Sequence, residues 1–68
     1  MAQTQSAFPA PQMIGQFRTF GLFGPAYCVL AADKQTASGD WLLRIQVVET
    51  GEKTDYPYTQ ALNDPEAN

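Results

Sequence analysis

The stretch Trp41-Leu42-Leu43-Arg44-Ile45-Gln46-Val47-Val48 constrains this chain more than any other. Trp41, Leu43, Ile45 and Val47 form an unbroken apolar row. Leu42, Arg44, Gln46 and Val48 form a mixed one. Alternation with a period of two, rich in β-branched and aromatic residues, predicts a strand with one face on a core. A one-residue slip would bury Arg44 and Gln46, so the register is strongly specified. Glu49-Thr50-Gly51-Glu52 follows, and Thr50-Gly51 suits the centre of a tight hairpin turn. Lys53 to Tyr58 then returns as a strand with Thr54, Tyr56 and Tyr58 on one face. Pro57 lacks a backbone donor, which places that strand at a sheet edge.

The rest of the chain fits the same plan. Met1 to Gln12 is rich in Gln, Ala and Pro, and Pro9 and Pro11 oppose regular hydrogen bonding. Residues 1–12 read as a disordered tail, with Phe8-Pro9-Ala10-Pro11 as a conceivable docking motif. Met13 to Phe20 alternates weakly between Gly15 and Gly21, as a short edge strand or extended segment would. Gly21 to Pro25 is a turn. Ala26 to Ala32 is apolar on both faces, in the manner of a central strand. Asp33 to Asp40 is a polar loop. Thr59 to Asn63 makes one helical turn with Thr59 as N-cap, and Pro65 ends it. The expected fold is mainly β, α+β at the margin: a three- or four-stranded antiparallel meander with a short C-terminal helical turn. One domain spans 13–65, and 66–68 fray.

Size and charge narrow the function. A chain of 68 residues buries only about 60% of its unfolded surface. Such chains recruit disulfides, metals or further subunits. Cys28 is the one cysteine and histidine is absent, so neither an internal disulfide nor a zinc site is expected. Self-association or a protein partner is the remaining aid. Four basic residues against seven acidic ones, net −3, do not make a phosphate-tracking surface, so nucleic acid is a disfavoured partner. Phe20 to Ala32 is too short and too broken by Gly24-Pro25 to span a bilayer. No basic region precedes an apolar run at the N-terminus. A cytoplasmic location without membrane attachment is the expectation.

Residues able to do chemistry are few. Without histidine the most adaptable acid–base group is missing. Cys28, mid-strand among apolar neighbours, reads as a packing thiol. Glu49, Glu52 and Asp55 surround the hairpin without the ligand spacing of a calcium loop, and Lys53 sits among them. The glycines at 15, 21 and 24 lack the lysine-serine that phosphate cradling uses. No catalytic, metal or cofactor-binding residue is assigned, and an enzyme is not expected.

The pattern Phe17-x-x-Phe20-Gly21-x-x-Gly24-Pro25-x-Tyr27-x-Val29-Leu30 continues into Arg44-Ile45-x-Val47-Val48-Glu49-Thr50-Gly51-Glu52, Asp55-Tyr56 and Leu62-x-Asp64-Pro65. In this order the motifs resemble those of a family of short uncharacterised bacterial proteins, a domain of unknown function. The resemblance covers about Ile14 to Glu66. It implies a bacterial, cytosolic setting and no particular activity.

The functional expectation is a non-enzymatic interaction module, acting as a homodimer or as an accessory partner of a larger protein. Phe17, Phe20, Phe23, Tyr27 and Arg44 are the residues expected to meet the partner, because aromatic and arginine side chains dominate contact surfaces. An antitoxin-like regulator is a second reading, suited by the acidic balance. A small β-domain binding single-stranded nucleic acid is a third. It would stack bases on the aromatics but has few basic residues between them.

Overall fold

Burial along the Trp41 segment follows its alternation. The computed structural model describes residues 7–67. In it Leu43 and Ile45 are wholly buried and Trp41 and Val47 half-buried, while Arg44 points to solvent. One antiparallel sheet contains four strands in chain order: β1 (Phe17–Thr19), β2 (Ala26–Gln35), β3 (Trp41–Val47) and β4 (Lys53–Pro57). A 3-10 turn at Pro11–Met13 precedes them, and a helix, α1 (Tyr58–Asn63), follows. The protein is the mainly β meander with a C-terminal helical turn that its alternation predicts.

The register divides the sheet into two unlike faces. Tyr27 pairs with Val47, Val29 with Ile45, Ala32 with Leu43, and Leu43 with Tyr56. Directly opposed residues share a face, so these side chains meet on one side. There Tyr27, Val29, Leu43 and Ile45 join Ala10, Met13 and Ala61 as the core, with Phe8, Phe20, Ala32, Tyr56 and Tyr58 packed against it. The other side carries Phe17, Cys28, Gln46 and Lys53 in one row, and Arg44 and Asp55 in the next. No helix lies on that side among the described residues.

β2 is longer than its apolar run. It continues through Asp33, Lys34 and Gln35, and the loop expected over 33–40 shrinks to Thr36–Asp40. Two register shifts make this possible. Leu30 and Ala31 together oppose Arg44, and Asp33 and Lys34 together oppose Leu42. An extra residue on one strand bends it and increases its twist. The shifts let polar residues extend the strand without entering the core.

The turns differ from expectation in detail. At the β3–β4 connection, Val47 N–H donates to Glu52 O at 2.8 Å and Gly51 N–H to Val47 O at 2.7 Å. Gly51, at φ 74°, therefore stands at the exit of a four-residue loop rather than at its centre. That left-handed conformation strains side-chain-bearing residues. Thr59 is not the helix N-cap. Pro57 holds that position in extended geometry, and the Thr59 hydroxyl donates instead to Asp40 Oδ2 at 2.9 Å. The helix stops at Asp64 because the residue before Pro65 is pushed out of helical geometry, to φ −86° and ψ 140°.

The expected tail over residues 1–12 is corrected from Ala7 onward; residues 1–6 lie outside the described part. A six-residue helix covers too little of the apolar face, and the N-terminal segment completes the cover. Ala10 and Met13 are buried. The Phe8 ring packs edge-on against Trp41, with centroids 5.6 Å apart, and against Tyr58 at 5.0 Å. Pro11 causes no conflict because the first position of a helical turn needs no N–H. The expected fraying at 66–68 is corrected likewise for Glu66 and Ala67. Ala67 N–H donates to Phe17 O at 2.8 Å, and Glu66 bridges to Arg18; Asn68 lies outside the described residues.

Phe8→Ala tests this cover. Losing a large, partly buried ring lowers unfolding stability by about 2 kcal/mol, read as a lower denaturant midpoint. An unchanged midpoint would return Phe8 to a free tail.

Candidate functional site

Polar groups on the covered face converge on Asp64, held at the C-terminal end of α1. Its Oδ2 accepts from the Tyr27 hydroxyl at 2.9 Å and from the Tyr56 hydroxyl at 2.8 Å, and its Oδ1 accepts from Gly21 N–H at 3.0 Å. Tyr27 stands on β2, Tyr56 on β4 and Gly21 in the β1–β2 turn, so one carboxylate ties four segments. Phe20 closes the cluster, 4.5 Å from the Tyr27 ring and 5.3 Å from Tyr56. Arg18 reaches beneath it. Its Nη1 donates to the carbonyls of Ala61 and Asp64 at 3.0 and 2.8 Å, adding a second donor at Ala61 O, which also accepts from Asp64 N–H.

The phenols are held protonated. Burial pushes the Tyr27 hydroxyl well above the ordinary phenol value, and its hydrogen bond to Asp64 and the nearby negative charge push the same way. Tyr56 rises to about 12, first through burial and then through its bond to Asp64. Two neutral donors on one carboxylate make a fastening that neutral pH leaves intact.

The residues expected to meet a partner separate onto different parts of the molecule. Tyr27 has no exposed surface and Phe20 is packed against it, so the expectation for both is corrected. Tyr27 stands on the covered side of β2, and Phe20, which follows β1, packs its ring onto it. Phe17, 47% exposed, lies on the open face beside Cys28. Arg44 is also on the open face, its Nη1 3.3 Å from Asp55 Oδ1. Phe23 is 98% exposed at the tip of the β1–β2 turn, next to Leu22 at 78%.

That turn is firmly anchored. Phe20 N–H donates to Pro25 O at 3.0 Å, the Thr19 hydroxyl to Gly21 O at 2.7 Å, and Gly21 N–H to Asp64. At Gly24 a Cβ would lie 2.1 Å from Phe20 O, so only glycine lets the chain close so tightly. Leu22 and Phe23 are displayed on a fixed scaffold. Sequence reasoning named Phe23 and missed Leu22, Leu30, Asp64 and Arg18. Leu22 could have been found from its place beside Phe23 between two turn glycines. Asp64 could have been found from two tyrosines that need a hydroxyl partner once buried.

A shallow depression at the opposite end of the sheet lies between Trp41, Tyr58, Pro9 and Asp40. Both Asp40 oxygens there are already engaged, by Trp41 N–H and the Thr59 hydroxyl. Among the described residues no three His, Cys, Asp or Glu side chains gather as a metal-binding group. No helix among them is long and apolar enough to cross a membrane.

The fold and its exposed parts define a one-sided β-meander in which Asp64 pairs with Tyr27 and Tyr56, and Arg18 Nε is left buried without a partner among the described residues. The chain belongs to the family of unknown function DUF5397, whose model matches residues 4–68. It is also similar to an uncharacterized protein of Haemophilus influenzae (strain ATCC 51907 / DSM 11121 / KW20 / Rd). That protein is 38% identical over 53 residues, which cover 78% of this chain and 84% of the relative.

The Asp64 fastening predicts two measurements. Asp64→Ala leaves two phenols and a backbone N–H without their acceptor and costs about 3 kcal/mol. Asp64→Asn keeps an acceptor oxygen and costs less. The second concerns alkali. A phenol whose value is raised in the folded state stabilises the fold fully below its unfolded value of 10.0. That contribution is lost as pH rises past 10 and through about 12. Denaturant midpoints should fall above pH 10, and Tyr56→Phe should flatten the fall. An equal slope in this variant would remove Tyr56 from the linkage.

Proposed function

We propose that this protein is a non-enzymatic protein-interaction module working in the cytoplasm. Its contact surface is the open sheet face together with the Leu22–Phe23 turn at one end of it. The carrying observation is that pair: two large apolar side chains, almost wholly exposed, on a turn held by the Asp64 hydrogen bond and the close approach at Gly24. A rigid apolar projection loses little conformational freedom when it docks. Phe17, Leu30 and Val48 add exposed apolar surface.

The aromatics support this reading over base stacking. Phe8, Phe20, Tyr27, Trp41, Tyr56 and Tyr58 pack against one another on the covered side. The arginine of the open face, Arg44, is neutralised by Asp55. A lone thiol such as Cys28 stays reduced in the cytoplasm, so it can line a contact surface without crosslinking it.

A photoreactive benzoylphenylalanine in place of Phe17 or Phe23 tests the surface in the native host. Irradiation should yield protein adducts at both positions and none at Gln60, an exposed helix position. Adducts no more abundant than at Gln60 would refute the module. Leu22→Ser/Phe23→Ser should abolish capture while shifting stability by no more than about 0.5 kcal/mol.

A further inference from the structure

One edge of the sheet is closed to strand addition and the other is short and guarded. On β1, Thr19 N–H donates to Pro65 O at 3.1 Å and Phe17 O accepts from Ala67 N–H, so the chain's own C-terminal residues occupy that edge. On β4, the bond from Val47 N–H to Glu52 O sets the alternation of hydrogen-bonded pairs. Glu52, Thr54 and Tyr56 turn their backbone groups toward β3. Lys53, Asp55 and Pro57 turn theirs outward. Pro57 at one end of β4 has no N–H to offer, and Lys53 at the other end is the kind of charge that guards exposed edges. The open face is the wider surface left to a partner.

The charges of that face are arranged for self-recognition. On β4, Lys53 and Asp55 are two residues apart on the open side, about 6.8 Å along the strand. Consider a two-fold axis in the plane of the face, running across the strands between the row Phe17-Cys28-Gln46-Lys53 and the row Arg44-Asp55. It exchanges the two rows. Lys53 then faces Asp55 of a second copy, and Asp55, whose Oδ1 also accepts from Arg44 of its own chain at 3.3 Å, faces the second Lys53. Gln46 falls opposite Arg44, and Cys28 opposite the small and apolar pair Ala31 and Leu30. Two sheets related in this way stack as a sandwich about 10 Å apart.

We infer that the occupant of the open face is a second copy of this chain, packed face to face with antiparallel strands and held in register by two reciprocal Lys53–Asp55 ion pairs. The inference rests on the interaction-module reading and specifies its partner. The core among the described residues, seven buried apolar residues of which two are alanines, is small, and chains of this length gain stability by association. The face is about 19 Å across and 24 Å long, from four strands and a seven-residue β3. That is a modest footprint, suited to a dimer that dissociates on dilution.

Sedimentation equilibrium of the full chain, with charge variants mixed, tests this arrangement. The wild-type chain should form dimers in the micromolar range. Lys53→Glu alone sets two carboxylate pairs against each other, and Asp55→Lys alone sets two ammonium pairs. Each should raise the dissociation constant roughly tenfold or more while circular dichroism stays unchanged. Mixed in equal amounts, the two variants present opposite charges at both contacts and should associate again as heterodimers. A wild-type monomer at high concentration, or variants that fail to rescue one another, overturns the second copy as occupant. If the Phe17 photoprobe still captures other proteins in that case, the module reading stands. A monomer without adducts removes both.

Discussion

The Asp64 carboxylate organises the covered half of this molecule. A short helix has little stability of its own, and α1 ends after six residues. What holds it is the acceptor at its end, which takes hydrogen bonds from Tyr27, Tyr56 and Gly21. Those donors come from a central strand, an edge strand and a turn. The Arg18 guanidinium bonds the backbone carbonyls of Ala61 and of Asp64 itself. Helix, turn and sheet are thus fixed relative to one another by one side chain and one cation.

The remaining architecture follows from having a single sheet. One face is covered by α1 and by the segment around Phe8, Ala10 and Met13. The other presents Phe17, Leu30 and Arg44. The same fastening that completes the core also poses the exposed turn, because Gly21 N–H is one of the donors to Asp64. Core and contact surface are therefore coupled. Damage to Asp64 would loosen the turn carrying Leu22 and Phe23 together with the helix.

The strands were readable where alternation is strong. Trp41 to Val47 points its odd residues inward as its pattern requires, and Pro57 lies on an edge as its missing donor requires. Alternation failed to guide where both faces are mixed. In β1, Phe17 and Arg18 offered no hydrophobic reason to prefer either side. The structure turns the arginine toward the core and the phenylalanine toward solvent, because the helix end supplies carbonyl partners for the guanidinium. The aromatics misled for the same reason. Residue type marks Phe20, Tyr27 and Phe23 as equally suited to a core or a contact. Only their neighbours separate two packed rings from one exposed ring. The N-terminal segment was misread because prolines argue against regular structure, and packing against an open core face does not need it.

Local physics alone determined that this chain would be a small antiparallel meander: the period-two pattern, the turn glycines and the edge proline act over a few residues and need no distant partner. Tertiary structure decided which face would be covered and which left open, where the tyrosine hydroxyls and Arg18 would find their partners, and which aromatics would reach solvent. Those outcomes depend on groups as far apart as Gly21 and Asp64 meeting in space, and no local periodicity encodes such a meeting.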